Sequence, residues 1–424
     1  MLPTRGLGGL ASLLRVPRSA RGSVILLRTK VALCALGVAL PLLSGTAHAE
    51  DCYIAAPPPP VDTSEVPLPG QPVPEPVPVP ETPVGGEQLG GCGPAFPLYA
   101  PALPTEITAA SWLVADLDTG AVLAAHEPHA RHRPASTIKV LTALVALREL
   151  QLDDTLVATQ EDANQEGSRV GLAPGATYTV RDVLTGLILR SGNDAAHALA
   201  MKLGGIEATV DKMNALAKSL GALDTRAATP SGLDGPGMST SAYDLAVVFR
   251  VAMQNPAFAE IVSTHQAFLP GAPGGPPLEV WSDNQVLRAY PGGLGGKTGF
   301  TDDARHTYIG AADHGGRRLV AVLMRGENQP VRLSAQTMRL LDYGFELNGA
   351  PVGELVTASP APIADVEPVD QSVQAQPEDP MFGTIGGPLA LLAAAAVAVV
   401  AAVAVQRRRA ALARRRRSGG DDHP

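Results

Sequence analysis

Between residues 111 and 345 the apolar positions fall into two rhythms. Ser111-Trp112-Leu113-Val114-Ala115-Asp116-Leu117 is a short, mostly apolar run, followed by a turn at Asp118-Thr119-Gly120 and a second run, Ala121-Val122-Leu123-Ala124. Two such runs around a glycine turn predict a hairpin. After Lys139 the chain reads Val140, Leu141, Thr142, Ala143, Leu144, Val145, Ala146, Leu147, with only Thr142 polar. A helix that is apolar on every side predicts a core position. Thr179-Val180-Arg181-Asp182 resembles a capped helix start, and the helix runs through Leu184, Leu187, Ile188 and Leu189 to stop near Ser191-Gly192. Residues 194–203 begin another helix, 307–312 and 318–324 pair as strands, and 336–345 form a terminal helix. Strands near both ends with helices between predict a mixed α/β domain.

Outside this domain the patterning changes. Arg5, Arg15, Arg18, Arg21, Arg28 and Lys30 precede an apolar run from Val31 to Leu43, and Ala47-His48-Ala49 follows as a small-x-small cleavage site. That order of features predicts an export signal over residues 1–49. Residues 57–83 are proline-rich with few large apolar side chains, which predicts an extended spacer within a linker over residues 50–95. A second linker, acidic and proline-containing, is expected over 347–384. From Ile385 to Val405 no residue is charged, a stretch of about 31 Å as a helix and long enough to cross a bilayer. Arg407-Arg408-Arg409 and residues 414–417, all arginine, come directly after it. By the positive-inside rule the tail, 406–424, is cytoplasmic and the domain at 96–346 lies on the outer face of the cell membrane.

Composition narrows the partners. A net charge of −8 leaves no basic footprint for nucleic acid. With 45% apolar and 17% charged residues, the folded part has an ordinary globular make-up. Of three cysteines, Cys34 lies in the signal, so Cys52 and Cys92 remain as an even pair in an oxidising compartment and are expected to form a disulfide.

Three short strings carry candidate chemistry. Ser136-Thr137-Ile138-Lys139 puts a hydroxyl and an amine three residues apart, on one face of a helix. A serine hydroxyl needs a base to take its proton, and a lysine becomes that base when burial lowers its pKa. Ser191-Gly192-Asn193 and Lys297-Thr298-Gly299 are weak alone, but their order and separation fit one site. A second Ser-x-Asn, Ser282-Asp283-Asn284, lies only 297 − 282 = 15 residues before Lys297, with no room for an intervening subdomain, so Ser191 and Asn193 are taken. Asp118-Thr119-Gly120 also spells an aspartic-protease string, but that chemistry needs two carboxylates sharing a proton and the chain has no second copy. His126, His129 and His132 straddle Pro128 and Pro134 and cannot share a helix face, so no metal site and no cofactor are expected. His197 is expected to pack or cap within its own helix.

The three strings together resemble the serine penicillin-binding proteins and β-lactamases. Pro134-Ala135-Ser136 with Lys139 and Thr142-Ala143, the run from Arg190 through Asp194-Ala195-Ala196, Gly232-Leu233-Asp234 with Ser239-Thr240-Ser241-Ala242, and Gly295-Gly296-Lys297-Thr298-Gly299-Phe300-Thr301 narrow the resemblance to low-molecular-weight D-alanyl-D-alanine carboxypeptidases. It covers roughly residues 100–346 and neither end. It implies a transpeptidase/β-lactamase-like fold, with an antiparallel sheet and a helical subdomain. It also implies roles: Ser136 as nucleophile, Lys139 as its base, Ser191 and Lys297 in the proton relay, and Asn193 orienting the substrate amide. Thr298 would bind the terminal carboxylate beside Lys297, the backbone N–H groups of Ser136 and Phe300 would form the oxyanion hole, and Gly299 would bind substrate between Thr298 and Phe300. Arg305 is a candidate second carboxylate anchor, or equally a surface charge flanking a strand. The implied partners are the peptidoglycan stem peptide ending in D-Ala-D-Ala, and β-lactams that mimic it.

A class A β-lactamase would place a deacylating glutamate between the second and third strings. Only Glu207, Glu260 and Glu279 lie there, none in a Glu-x-x-x-Asn context. Carboxypeptidase is therefore preferred. An endopeptidase using the same groups, a transpeptidase, and a catalytically silent wall-anchored scaffold stay open at this point.

Overall fold

The computed structural model describes residues 63–91 and 93–357. Cys52, Cys92, the export signal, the uncharged run 385–405 and the arginine-rich tail lie outside the described residues.

Both ends of the domain contribute to one antiparallel sheet. From the N-terminal side come β1 (Pro94–Ala95), β2 (Ser111–Asp116) and β3 (Ala121–His126). The chain then passes through α1 (Lys139–Glu149), β4 (Thr155–Val157), α2 (Gln160–Ala163), β5 (Thr177–Thr179), α3 (Val180–Leu189), α4 (Asn193–Lys202), α5 (Ile206–Ser219), α6 (Ala242–Met253) and α7 (Pro256–Val262). A two-stranded ribbon, β6 (Gln266–Leu269) with β7 (Leu278–Trp281), and α8 (Gln285–Ala289) lead back to β8 (Gly293–Thr301), β9 (Arg305–His314) and β10 (Arg317–Gly326). Helix α9 (Leu333–Glu346) and β11 (Gly353–Glu354) close the domain. The sheet runs β1-β3-β2-β10-β9-β8, with β11 also paired to β3.

Strand β2 shows why the predicted hairpin became a core hairpin. All six of its residues are buried. Leu113 and Ala115 join the apolar cluster on the face that carries α1, α3 and α6, while Trp112 and Val114 join the cluster under α9. The two-residue alternation of a strand sorts them. Strand β10 repeats the pattern, with Val320, Val322 and Met324 on one side and Leu319, Ala321 and Leu323 on the other. Helix α9 comes close enough that a Cβ on Gly344 would stand 2.6 Å from Val114 Cγ1, so glycine is required there.

The expected helix start at Thr179 is a capping box, with Thr179 accepting from the Asp182 N–H and Asp182 accepting from the Thr179 N–H. Two boundaries differ from the sequence reading. Residues 347–357 still belong to the domain, because β11 pairs with β3 and the Leu355 N–H reaches the Gly120 carbonyl at 2.7 Å. Within the described part, 63–84, the proline-rich stretch lies on the domain rather than standing off as a spacer. Arg131 donates to the carbonyls of Val77 and Pro78, Arg226 to that of Glu75 at 2.6 Å, and Arg133 pairs with Glu65. A polyproline strand leaves its carbonyls free of internal hydrogen bonds. Arginines planted on the domain take them up.

Candidate active site

Ser136 enters the site on a tight turn. Ala135 has φ 47°, a left-handed conformation rare for a side chain with a Cβ, and residues 135–138 form a single 3₁₀ turn before α1 begins at Lys139. The Pro134 carbonyl secures this turn by accepting from Thr137 Oγ1 at 2.6 Å and from Thr307 Oγ1, on β9, at 2.8 Å. Ser136 and Lys139 therefore sit on a 3₁₀-to-α junction, not on one regular helix. Their facing atoms still meet, with Lys139 Nζ 2.8 Å from Ser136 Oγ.

Lys139 is cut off from water. As an ammonium it donates to Ser136 Oγ, to Asn193 Oδ1 at 2.7 Å and to the Ser231 carbonyl. No carboxylate lies within ion-pair distance of it among the described residues. Burial, followed by the positive charge of Lys297, holds its pKa well below the ordinary lysine value, against the opposing pull of Asp194 and Asp283. As a neutral amine it keeps two N–H groups for Asn193 and Ser231 and turns its lone pair to Ser136, whose hydroxyl then donates. That is the arrangement of a general base on a nucleophile.

The second string occupies the break between α3 and α4. Ser191 has φ 58°, is buried and lines the cavity. A Cβ on Gly192 would collide with Val170 Cγ2 at 2.3 Å, which explains the glycine between Ser191 and Asn193. Asn193 links two walls of the site, accepting from Lys139 and donating to the Glu166 carbonyl through Nδ2. Beside it the Asp194 carboxylate accepts from the N–H groups of Val170, Gly171 and Leu172 at 2.8–3.0 Å, which fixes the loop over residues 166–172.

The third string lies on β8, the last strand of the sheet. Lys297 is fully buried and donates to the Thr298 carbonyl at 2.9 Å. Gly299 passes so near the nucleophile that a Cβ there would stand 2.9 Å from the Ser136 nitrogen. Ser136, Ser191, Asn193, Thr298, Gly299 and Phe300 line one cavity of about 530 Å3, with Lys139 and Lys297 buried behind it. Among the described residues β8 ends the sheet, and a sheet edge is a place where an extended peptide can add a strand.

Residues 99–328 match the Peptidase_S11 family, described as D-alanyl-D-alanine carboxypeptidase. The chain belongs to this family. It is 53% identical over 253 residues to the D-alanyl-D-alanine carboxypeptidase DacB2 of Mycobacterium tuberculosis, covering 58% of this chain and 86% of that one. It is 32% identical to DacF of Bacillus subtilis, of which it spans 62%. A crystal structure of a D-alanyl-D-alanine carboxypeptidase from M. tuberculosis H37Rv superposes with a TM-score of 0.59 at 48% identity, covering 61% of this chain and 99% of that one. The DD-transpeptidase of Streptomyces K15 gives 0.55 at 28% identity, covering 58% and 100%.

The candidate site also contains residues that sequence reasoning passed over. Ser282-Asp283-Asn284, set aside as a coincidental string, is part of it: Asp283 lines the cavity and accepts from Thr298 Oγ1 at 3.1 Å. The missed signal was its closeness to Lys297, which was used to reject it. His306 and the backbone around Gly167 and Gly232 complete the lining. Arg332 borders an adjoining cavity with Asp283, Thr298 and His306 and makes no ion pair among the described residues. No pattern near Arg332 distinguishes it from other surface arginines.

The histidines are scattered by the fold. His129 sits between Asp224 and the Val84 carbonyl, both at 2.9 Å, while His126 stacks on Trp112. His132 is buried, and neither ring nitrogen has a hydrogen-bond partner among the described residues. His197 reaches out of its own helix to Asp162 on α2 at 2.6 Å, instead of packing within α4. Arg305 forms a two-pronged pair with Glu327 at 2.8 and 3.1 Å and lies over the Phe300 ring at 5.8 Å. One edge of the guanidinium is thereby taken by Glu327 and one face by the Phe300 ring, which favours the surface-charge reading over the carboxylate anchor.

Proposed function

We propose that this serine DD-carboxypeptidase removes the terminal D-alanine of peptidoglycan stem pentapeptides through an acyl-enzyme on Ser136. The observation that carries the assignment is the 2.8 Å approach of a fully buried lysine amine to the Ser136 hydroxyl. Ser136 Oγ attacks the carbonyl between the two D-alanines as its proton passes to Lys139 Nζ. The Ser136 and Phe300 N–H groups receive the developing oxyanion, each donor being worth about 3–4 kcal/mol in acyl transfer. Collapse of the tetrahedral species breaks the C–N bond, and the leaving D-alanine amine takes its proton through Lys139 and Ser191. Water then hydrolyses the ester and restores the Ser136 hydroxyl.

Substrate binding follows from the same walls. The stem peptide adds to the free edge of β8, and Asn193 holds its amide. Lys297, Thr298 and, from the adjoining cavity, Arg332 receive the terminal carboxylate. A β-lactam places its amide bond and its carboxylate on the same groups, so it acylates Ser136. Residues 1–49 export the chain, Cys52 and Cys92 form a disulfide outside the cell, and 385–405 anchor the domain to the outer face of the membrane.

Fluorescent penicillin labelling of the full-length chain tests the nucleophile. Label is expected on the wild-type protein and absent from Ser136→Ala; label that persists in the variant refutes the assignment. Incubation with pentapeptide muropeptides, followed by mass analysis, should show loss of a single alanine. Cleavage of cross-linked dimers instead would identify an endopeptidase.

A further inference from the structure

The proline-rich strap touches the domain at several points, and they are not equivalent. Glu75, Val77, Pro78 and Val84 are held through their backbone carbonyls, by Arg226, Arg131 and His129. Glu65 is held through its side chain, with both carboxylate oxygens accepting from the Arg133 guanidinium. The two side chains are only 6% and 4% exposed, although Ser64 and Val66 on either side of Glu65 are exposed. A carboxylate is costly to bury unless it is paired and hydrogen-bonded. A spacer has no use for one, so the place of its partner in the chain shows what the pair secures.

Arg131 and Arg133 flank His132, whose N–H and carbonyl are both bonded to Thr240 at 2.8 Å. In such an extended stretch alternate residues point to one side, so both arginines meet the strap. Directly beyond Arg133 the chain turns into the nucleophile. The Pro134 carbonyl takes the Thr137 and Thr307 hydroxyls, Ala135 adopts its left-handed φ, and Ser136 follows. A residue in that conformation stays there only where its surroundings over-determine it. One side of the turn is held by the two hydroxyls and by close packing, since a Cβ on Gly232 would stand 2.0 Å from the Ala135 carbonyl oxygen. The other side begins at Arg133, two residues before Ala135. A guanidinium cannot shed its proton, so its buried position needs a counter-charge. Glu65 supplies it in a two-pronged pair, the geometry that fixes direction as well as distance.

We propose that Glu65 is a positioning residue for acylation: paired with Arg133, it closes the upstream side of the strained turn that presents Ser136. The strap is then a working part of the site and not a passive tether. This rests on the assignment of Ser136 as nucleophile above. Glu65 lies outside residues 99–328, the stretch matched to the family, so the contribution comes from the segment that precedes the family domain.

The test is stopped-flow acylation by penicillin on the full-length chain, resolved into the chemical rate at saturation and the noncovalent Kd, per folded molecule. Misplacing a reacting group by about 1 Å can cost about 100-fold, so Glu65→Gln, which loosens the turn without removing it, is expected to lower the saturating rate about tenfold. Its Kd should not change, because the walls that bind penicillin are intact. Arg131→Met is the control. It frees strap carbonyls and lowers stability without touching Glu65, and its saturating rate should stay near wild type. Glu65→Asp keeps the charge on a shorter arm and should show an intermediate loss.

A Glu65→Gln rate equal to wild type overturns the proposal. So does a loss that Arg131→Met matches, since both would then report only a loosened strap. If Glu65→Gln does not fold, Glu65→Asp decides, and a wild-type rate there refutes the idea. Persistent labelling of Ser136→Ala would instead overturn the nucleophile assignment, so the two failures are distinguishable.

Discussion

Arg131 and Lys139 lie on the same short stretch of chain and are both removed from solvent, at 1% and 0% exposure, yet their surroundings are opposite. The Arg131 guanidinium faces Asp224 at 3.0 Å and two carbonyls of the proline-rich strap. Asp224 is itself backed by His129 and by Asp244, whose acid burial and the Asp224 charge push well above the ordinary range. Lys139 faces a hydroxyl, an amide and a carbonyl, with no carboxylate within ion-pair distance among the described residues. A guanidinium cannot shed its proton, so its burial demands a counter-charge and a full set of acceptors. An ammonium can, and withholding the counter-charge converts it into a base. The same degree of burial therefore yields a structural clamp in one place and, in the other, the proposed base beside Ser136.

Several substitutions sharpen that contrast. Lys139→Ala should lower the rate of penicillin acylation by about 10²–10⁴-fold, the range for a lost general base, with little change in thermal stability; a rate within a few-fold of wild type would remove Lys139 from the mechanism. Arg131→Met should do the reverse. Breaking a buried pair costs about 3–5 kcal/mol, so urea melts should shift strongly, and limited proteolysis should cut before Val84 as the strap is released. Acylation per folded molecule should change little.

His132 is a third buried base, and it tests the clamp side by pH. Desolvation first, then the charges of Arg325 and Arg133, lower its pKa to about 4. The unfolded chain titrates near the ordinary 6.5, so as pH falls from there through 4 the unfolded state takes up a proton that the folded state refuses. Stability contributed above pH 6.5 is thus lost on acidification, by about 3 kcal/mol when complete. Melts of His132→Leu at several pH values should lack this component; an unchanged acid dependence would assign it elsewhere. The smallest effect is expected at exposed Arg305. Arg305→Ala should cost no more than about 1 kcal/mol as a lost surface pair and leave the KM for pentapeptide near wild type, whereas a large rise in KM would restore it as a carboxylate anchor.

Legibility in the sequence followed the range of the interactions. The hairpin at 111–126, the capped helix at Thr179 and the strands of the C-terminal half depend on neighbours two to four residues away, and each was found. Ser136, Lys139, Ser191, Asn193, Lys297 and Thr298 could be singled out because their chemical types recur at telling intervals, and the fold brings them together around one cavity. Asp283 was rejected by the same spacing argument, because proximity in sequence to Lys297 said nothing of the β7-to-α8 turn that aims its carboxylate at Thr298. The strap was read as a spacer because a proline-rich stretch builds no core of its own. Its binding depends on Arg131, Arg133 and Arg226, which are distant in the chain and look like ordinary surface charges.

The sequence alone determined which elements form and which functional groups are available, since periodicity, caps and side-chain chemistry are local properties. The tertiary structure decided the charge each group carries. Whether a lysine is a base, a carboxylate anchor or a clamp depends on how much water is removed from it and which charges face it, and those are set by residues far along the chain.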